Sequence, residues 1–198
     1  MSRKKIQKHY LPRLARHSES FKILDWANAA SQVMRFEILA EHVYLAGRSL
    51  LDVGCGVGDL YGFLIERSIE ADYTGVDILE KMASEAKHRH PTGTFECADI
   101  FSGPAPAGAP FDVVFCSGTF NLNVGNNHEF LPTAIARLLE LTAETLAFNL
   151  LHDRMPAKEK EYAYYNPQKI VDLLGPEVSQ IRLLDDYLPN DFTIICRK

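Results

Sequence analysis

Beyond its first fifty residues the chain alternates short apolar runs with stretches of helical period. That alternation predicts a mostly parallel sheet with helices on both faces. The apolar runs fall at 50–53, 71–77, 95–100, 111–118, 145–151, 178–185 and 192–196, giving seven predicted strands. Between them, residues 59–68 set Leu60, Phe63 and Leu64 on one helical face, and 80–90 reads as a helix stopped by Pro91. Residues 129–141 repeat apolar side chains at Phe130, Leu131, Ala134, Ile135, Leu138 and Leu139, and 167–174 is a helix ended by Gly175. The Gly/Pro/Ala-rich stretch 102–110 reads as a loop inside the domain. Only a short polar loop, 186–191, joins the last two runs, so these should pair antiparallel. The expected class is α/β, and 198 residues, 46% hydrophobic, suit one domain over 1–198 with a helical segment at 1–48 and a core at 49–198.

The first run ends in chemistry. Leu50-Leu51-Asp52-Val53-Gly54-Cys55-Gly56-Val57-Gly58-Asp59 carries a carboxylate and then three glycines at alternate positions. Glycine accepts φ > 0 and lets a ligand lie directly on the backbone, and the segment that follows can start a helix. A dinucleotide fingerprint needs Gly-x-Gly-x-x-Gly. Here the third glycine comes one place early, at Gly58, and Asp59 stands where that fingerprint wants glycine. A carboxylate before the turn repels a diphosphate and suits a cationic ligand, and a sulfonium nucleoside meets that requirement.

At these residues the sequence resembles the class I S-adenosylmethionine-dependent methyltransferases, whose first motif is an acid followed by alternate glycines. Asp77, 25 residues after Asp52, ends the second run; the resemblance implies that it accepts both ribose hydroxyls. Asp99 in Phe95-Glu96-Cys97-Ala98-Asp99-Ile100 resembles the family's adenine-reading acid, with Ile78 and Ile100 sandwiching the base. The run ending at Ser117 resembles the fourth-strand motif beside the methionine part of the cofactor. The pattern Trp26-x5-Gln32-x2-Arg35-Phe36 is similar to the N-terminal helix of a small bacterial branch whose substrates are mostly unassigned. The segments 117–121, 147–150 and 186–193 resemble that branch too, so the likeness covers nearly the whole chain. It implies a Rossmann-like, seven-stranded, mostly parallel sheet with an antiparallel last strand. It also implies an N-terminal helical lid from which Arg35 holds the carboxylate of S-adenosylmethionine. Gly54, Cys55, Gly56 and Gly58 would form the cofactor turn.

Charge is unevenly placed. Residues 1–48 carry nine Lys or Arg against four Asp or Glu, and the rest of the chain twelve against twenty-two. A basic arm can steer an anionic partner, yet no aromatic-basic interleaving follows the arm and the core is acidic. Nucleic acid is therefore disfavoured as a partner, and the arm reads as a solvated helix. The four cysteines have no metal-binding spacing and read as reduced filler. No apolar run approaches the ~20 residues that span a bilayer and no signal core opens the chain, so the expectation is a cytoplasmic monomer or weak dimer.

Methyl transfer from a sulfonium needs alignment, exclusion of water and, for some acceptors, removal of one proton. The segment Ser117-Gly118-Thr119-Phe120 lacks the Asn/Asp-Pro-Pro-Tyr pattern of base-amine methylation. Asn121 after the fourth run and His152 after the fifth are the candidate catalytic residues, His152 because imidazole titrates near ~6.5. Tyr162, Tyr164 and Tyr165 are candidates for an aromatic pocket. The reading is a small-molecule methyltransferase. Two rivals stay open: an RNA or protein methyltransferase guided by the basic arm, and a cofactor-binding module without catalysis.

Overall fold

Seven strands, β1 (Ser49–Val53), β2 (Asp72–Asp77), β3 (Thr94–Cys97), β4 (Phe111–Ser117), β5 (Thr142–Leu151), β6 (Gln180–Leu184) and β7 (Asp191–Arg197), form one sheet in the order β3-β2-β1-β4-β5-β7-β6. The computed structural model describes residues 2–176 and 178–198. Neighbours from β3 to β5 pair parallel, whereas β7 runs antiparallel to both β5 and β6, as the short 186–191 loop requires. The chain leaves β1 toward β2 on one side and returns to β4 on the other. An open sheet that reverses its order in this way leaves a crevice at the carboxyl ends of the two central strands.

Side chains alternate between the two faces with period two. Leu51, Val53, Val114, Cys116, Phe148 and Ile194 face one core, which is closed by Leu131, Ala134, Ile135 and Leu138 of α6 (Asn127–Glu140). Leu50, Val113, Phe115, Ala147 and Ile195 face the other. That second core is closed by Phe36 and Leu39 of α3 (Ala29–His42) and by Leu60, Phe63 and Leu64 of α4 (Asp59–Glu66). Each fully buried Leu or Phe contributes roughly 1.5–3 kcal/mol, so the helices are held chiefly by these faces. The helix α5 (Glu80–Arg89) lies along β2 and β3, and α7 (Pro167–Val171) starts at an Asn166 cap with proline in its first turn.

Several boundaries differ from expectation. The third strand stops at Cys97, because the Asp99 carboxylate accepts the Phe101 amide at 3.2 Å and turns the chain. The last helix is only one turn and the fifth strand begins earlier, at Thr142. At the N-terminus, Trp26 precedes the helix instead of lying within it: Asn28 caps α3 by accepting the Ser31 amide at 2.8 Å. Ahead of it stand α1 (Arg3–Arg16) and the single turn α2 (Ser20–Ile23). Among the described residues no helix is long and apolar enough to cross a membrane.

Candidate active site

The glycine turn is shaped by its neighbours. Gly54, Gly56 and Gly58 all have positive φ, and a Cβ at Gly56 would lie 2.7 Å from Leu24 Cδ2. A Cβ at Gly54 would strike the hydroxyl of Thr119, which donates to the Val53 carbonyl. Side chains are thus excluded where the lid and the β4 loop approach the turn. Gly58 serves the helix instead. As the left-handed cap of α4 it meets His90 and Phe95, outside the residues lining the cleft. Cys55 is buried, and burial pushes its thiol well above the usual range, so it packs as a neutral side chain.

A cleft of about 360 Å³ opens above this turn. Asp77, Ile78, Asp99, Ile100, Ser117 and Asn121 line it, together with Gly54, Gly56 and Arg35. Asp77 accepts the Gly56 amide at 3.1 Å on one oxygen and the Leu79 amide at 2.8 Å on the other, locking turn to strand. Burial nevertheless raises its pKa to about 6. Asp52 lies on the α3/α4 face of the sheet, beneath the turn, and lines a second small cavity with Trp26, Gln32 and Ser117. It is 4% exposed. Burial pushes its carboxyl up to about 7 against the opposing pull of the Tyr73 hydroxyl, which donates to it at 2.7 Å. Gln32 donates to Asp59 at 2.7 Å and so fixes α3 to the first residue of α4.

The cover of the cleft comes from the basic N-terminal segment, which is not a solvated arm. Ile6 and Tyr10 of α1 line the cleft, along with Leu24, Asp25, Trp26 and Ala27 from the linker. Asp25 holds the cover in place. His9 Nε2 lies 2.8 Å from it, Arg13 Nη2 2.7 Å, and Tyr162 donates its hydroxyl from 2.6 Å, so three separate segments meet at one carboxylate. Burial alone would raise its pKa, but the bonds from His9 and Tyr162 and the charge of Arg13 outweigh it and hold the carboxyl below the usual range. Asp25 also takes a positive φ of 62°, a conformation uncommon for residues other than glycine.

Two expectations meet a different arrangement. Arg35 reaches the cleft edge, but its guanidinium forms a buried ion pair with Asp191, donates to the Ser31 carbonyl and stacks 4.1 Å from the Trp26 ring centroid. Its charge is answered from within the protein. His152 is not among the residues lining the cleft: its ring packs edge-on against Phe192 and its Nδ1 accepts the Arg154 amide at 3.1 Å. The strand end supplies Leu151 to the lining instead, and Asn190 joins it from the turn before β7. Of the tyrosine cluster, Tyr162 and Tyr164 line the cleft, whereas Tyr165 is buried and donates to the Phe120 carbonyl. The wall residues Ile6, Tyr10, Asp25, Met155 and Glu159 carry no sequence motif. One signal points to the first two: Ile6, Tyr10 and Leu14 recur at four-residue spacing within the basic helix.

Residues 50–141 match the model of a family described as a methyltransferase domain. A protein of Mycobacterium tuberculosis named as a methyltransferase is 31% identical over 164 residues, which cover 76% of this chain and 93% of the relative. The trans-aconitate 2-methyltransferase of Delftia acidovorans is 31% identical over 103 residues, covering 52% of this chain and 38% of that enzyme. Among solved structures, magnesium protoporphyrin IX methyltransferase from Synechocystis, with bound SAH, superposes with a TM-score of 0.73 at 18% identity and full coverage of both chains, a likeness of fold.

Proposed function

We propose that this chain, which belongs to the class I S-adenosylmethionine-dependent methyltransferases, moves the donor's methyl group to a small molecule held beneath its own N-terminal helices. The cover carries this reading. Ile6, Tyr10 and residues 24–27 close over the strand ends and leave a cleft of about 360 Å³, a size typical of small-molecule sites, where a polymer would need an open groove. The names of two matched proteins, which refer to trans-aconitate and magnesium protoporphyrin IX, lean the same way.

The residues suit the donor. Ser117 Oγ and Trp26 Nε1 are buried without a hydrogen-bond partner among the described residues, and both residues line the cleft beside the glycine turn. Such atoms call for a ligand carrying donors and acceptors of its own. In this reading Asp77 takes the ribose hydroxyls, Asp99 with Ile78 and Ile100 takes the adenine, and Asp52 and Ser117 face the charged amino-acid end. Gly54 and Gly56 let the donor lie against the backbone, while Cys55 and Gly58 shape the turn from behind. Arg35 acts by holding Trp26 and Asp191, not by meeting the donor's carboxylate.

When bound, S-adenosylmethionine supplies a methyl group on a sulfonium: the acceptor's lone pair takes the methyl carbon, the C–S electron pair returns to sulfur, and the acceptor sheds one proton. The chain's part is alignment and exclusion of water. The Asp25 contacts keep the cover shut, and Asn121 holds the acceptor. His152 stands outside the lining and receives no proton in this scheme. The purified chain, given methyl-labelled donor and a fractionated bacterial extract, should put label into compounds of low mass. Label confined to RNA or protein would refute the reading, and a folded chain that binds S-adenosylhomocysteine yet labels nothing would favour a silent binding module.

A further inference from the structure

The charges around the cleft are lopsided. Among the described residues, Asp25, Asp77, Asp99 and Glu159 line it against Arg35; Arg35 is paired with Asp191 and Asp25 with Arg13, which leaves Asp77, Asp99 and Glu159 without a cationic partner. Under the reading above Asp77 and Asp99 serve the donor. The remaining two acids belong to a contiguous acceptor wall. Tyr162 donates to Asp25, the Glu159 amide donates to the Tyr164 hydroxyl at 3.1 Å, and the Ala163 amide donates to the Asn121 carbonyl at 2.8 Å. His9 and Arg13 answer Asp25 from α1, but neither lines the cleft, nor does Lys158, which stands 6.0 Å over the Tyr164 ring. An anionic acceptor entering here meets aromatic faces, the carboxylate of Glu159 and, among the described residues of the lining, no unpaired cation. Desolvating its charge would go uncompensated.

A second observation is independent of charge. Asn121 lines the cleft, is 7% exposed, and its Oδ1 has no hydrogen-bond partner in the protein. The Nδ2 of the same amide makes no hydrogen bond among the described residues either, so the amide is completed by a group that both donates and accepts, as a neutral amine or an alcohol does, whereas a carboxylate could only accept.

We infer that the methyl acceptor is a small amine or alcohol of zero or positive charge on an apolar body, its N–H or O–H given to Asn121, and that carboxylate acceptors are refused. The inference rests on the small-molecule reading. With an amine, which gives one proton to water beforehand if it enters as the ammonium, the N–C bond forms from the nitrogen lone pair as the C–S pair returns to sulfur, and the positive charge passes from sulfur to nitrogen. Carboxylates and tyrosine faces favour a cation at every stage of that path. With a carboxylate acceptor the two charges annihilate, and the wall has only penalised the anion's entry.

The test uses the full chain saturated with S-adenosylhomocysteine. Its single tryptophan, Trp26, lines the cleft and serves as the fluorescent reporter. Three probes share one body and differ in the head group: 3-phenylpropylamine, 3-phenylpropanol and 3-phenylpropionate. The amine and the alcohol should each bind at least about tenfold more tightly than the carboxylate at neutral pH. Glu159→Gln should narrow the gap between amine and carboxylate, and Asn121→Leu should weaken the amine and the alcohol several-fold more than the carboxylate, a pattern that general loosening of the fold does not produce. Equal or tighter binding of the carboxylate, or no response to any of the three, overturns the inference. Failure of S-adenosylhomocysteine itself to bind would instead remove the donor-site reading on which it rests.

Discussion

Asp52→Asn should stabilise the cofactor-free protein while impairing recognition of the donor, and the size of both effects can be worked out. The carboxyl is 4% exposed, and its pKa rises from 3.8 to about 7, first through burial and then through the nearby charges of Asp77 and Asp59, with the Tyr73 bond opposing. A group whose folded value lies above its unfolded one gives stability that is complete below the unfolded pKa and is lost as pH rises through the folded value. At ~1.4 kcal/mol per pKa unit, the loss in the wild type is about 2 kcal/mol at pH 5 and about 4 kcal/mol above pH 7. Asparagine keeps an acceptor for the Tyr73 hydroxyl and carries no charge in either state. The stability gap between variant and wild type should therefore widen in the variant's favour by about 2–3 kcal/mol from pH 5 to pH 8. For a chain of this length that is a relative gain of ~5–10 °C in Tm. Comparing two pH values cancels whatever else the amide changes. In calorimetry the same variant should lose roughly tenfold in affinity for S-adenosylmethionine and for S-adenosylhomocysteine alike, since both bring the ammonium of the amino-acid end toward the carboxylate. A gap that is the same at both pH values would mean that Asp52 ionises in the fold without penalty, and the electrostatic account of the turn would be wrong.

Asp77→Asn should weaken S-adenosylmethionine by roughly ten- to hundredfold, the loss of a charge-assisted pair of hydrogen bonds, with little change in melting; an unchanged Kd in a folded variant would leave Asp77 as a clamp on the Gly56 and Leu79 amides only. Asp25→Asn should loosen the cover, so that trypsin cuts after Arg13 or Arg16 several-fold faster while the core stays within ~1 kcal/mol of wild type by urea unfolding; equal protection of α1 in both proteins would show that Ile6 and Tyr10 hold it without the carboxylate. Asp191→Asn strands the Arg35 cation, itself 3% exposed, and should cost about 3 kcal/mol. The double change Arg35→Met with Asp191→Leu should recover most of that, and a double variant no better than the single one would mean that the pair's geometry, not its charge, is what the site needs.

The part of the candidate site proposed for the donor follows from local pattern in the sequence and the part proposed for the acceptor does not, for a physical reason. Asp52, Asp77, Asp99 and Ser117 each stand at or just past the end of a run whose period announces a strand, and the order of those runs forces their ends to one crevice. Local pattern and global position agree there. The acceptor wall is assembled from residues of α1, the 24–27 linker, the segment after β4 and the 155–164 loop, none of which is periodic on the cleft side except Ile6 and Tyr10. In that helix the eye follows six basic residues, Arg3, Lys4, Lys5, Lys8, Arg13 and Arg16, toward a solvated arm, although the buried face is set by the apolar spacing between them. Asp25 is a lone acid in a linker, and its meaning comes from partners at positions 9, 13 and 162, which only the tertiary fold brings together. His152 errs in the opposite sense. It ends a strand as the donor residues do, but β5 is flanked by the antiparallel β7 where the others have parallel neighbours, and the turn before β7 brings Asn190 to the cleft while the histidine packs on Phe192. The residues proposed for the donor are thus announced by local pattern, whereas the wall proposed for the acceptor is assembled by long-range contacts among segments that carry no pattern.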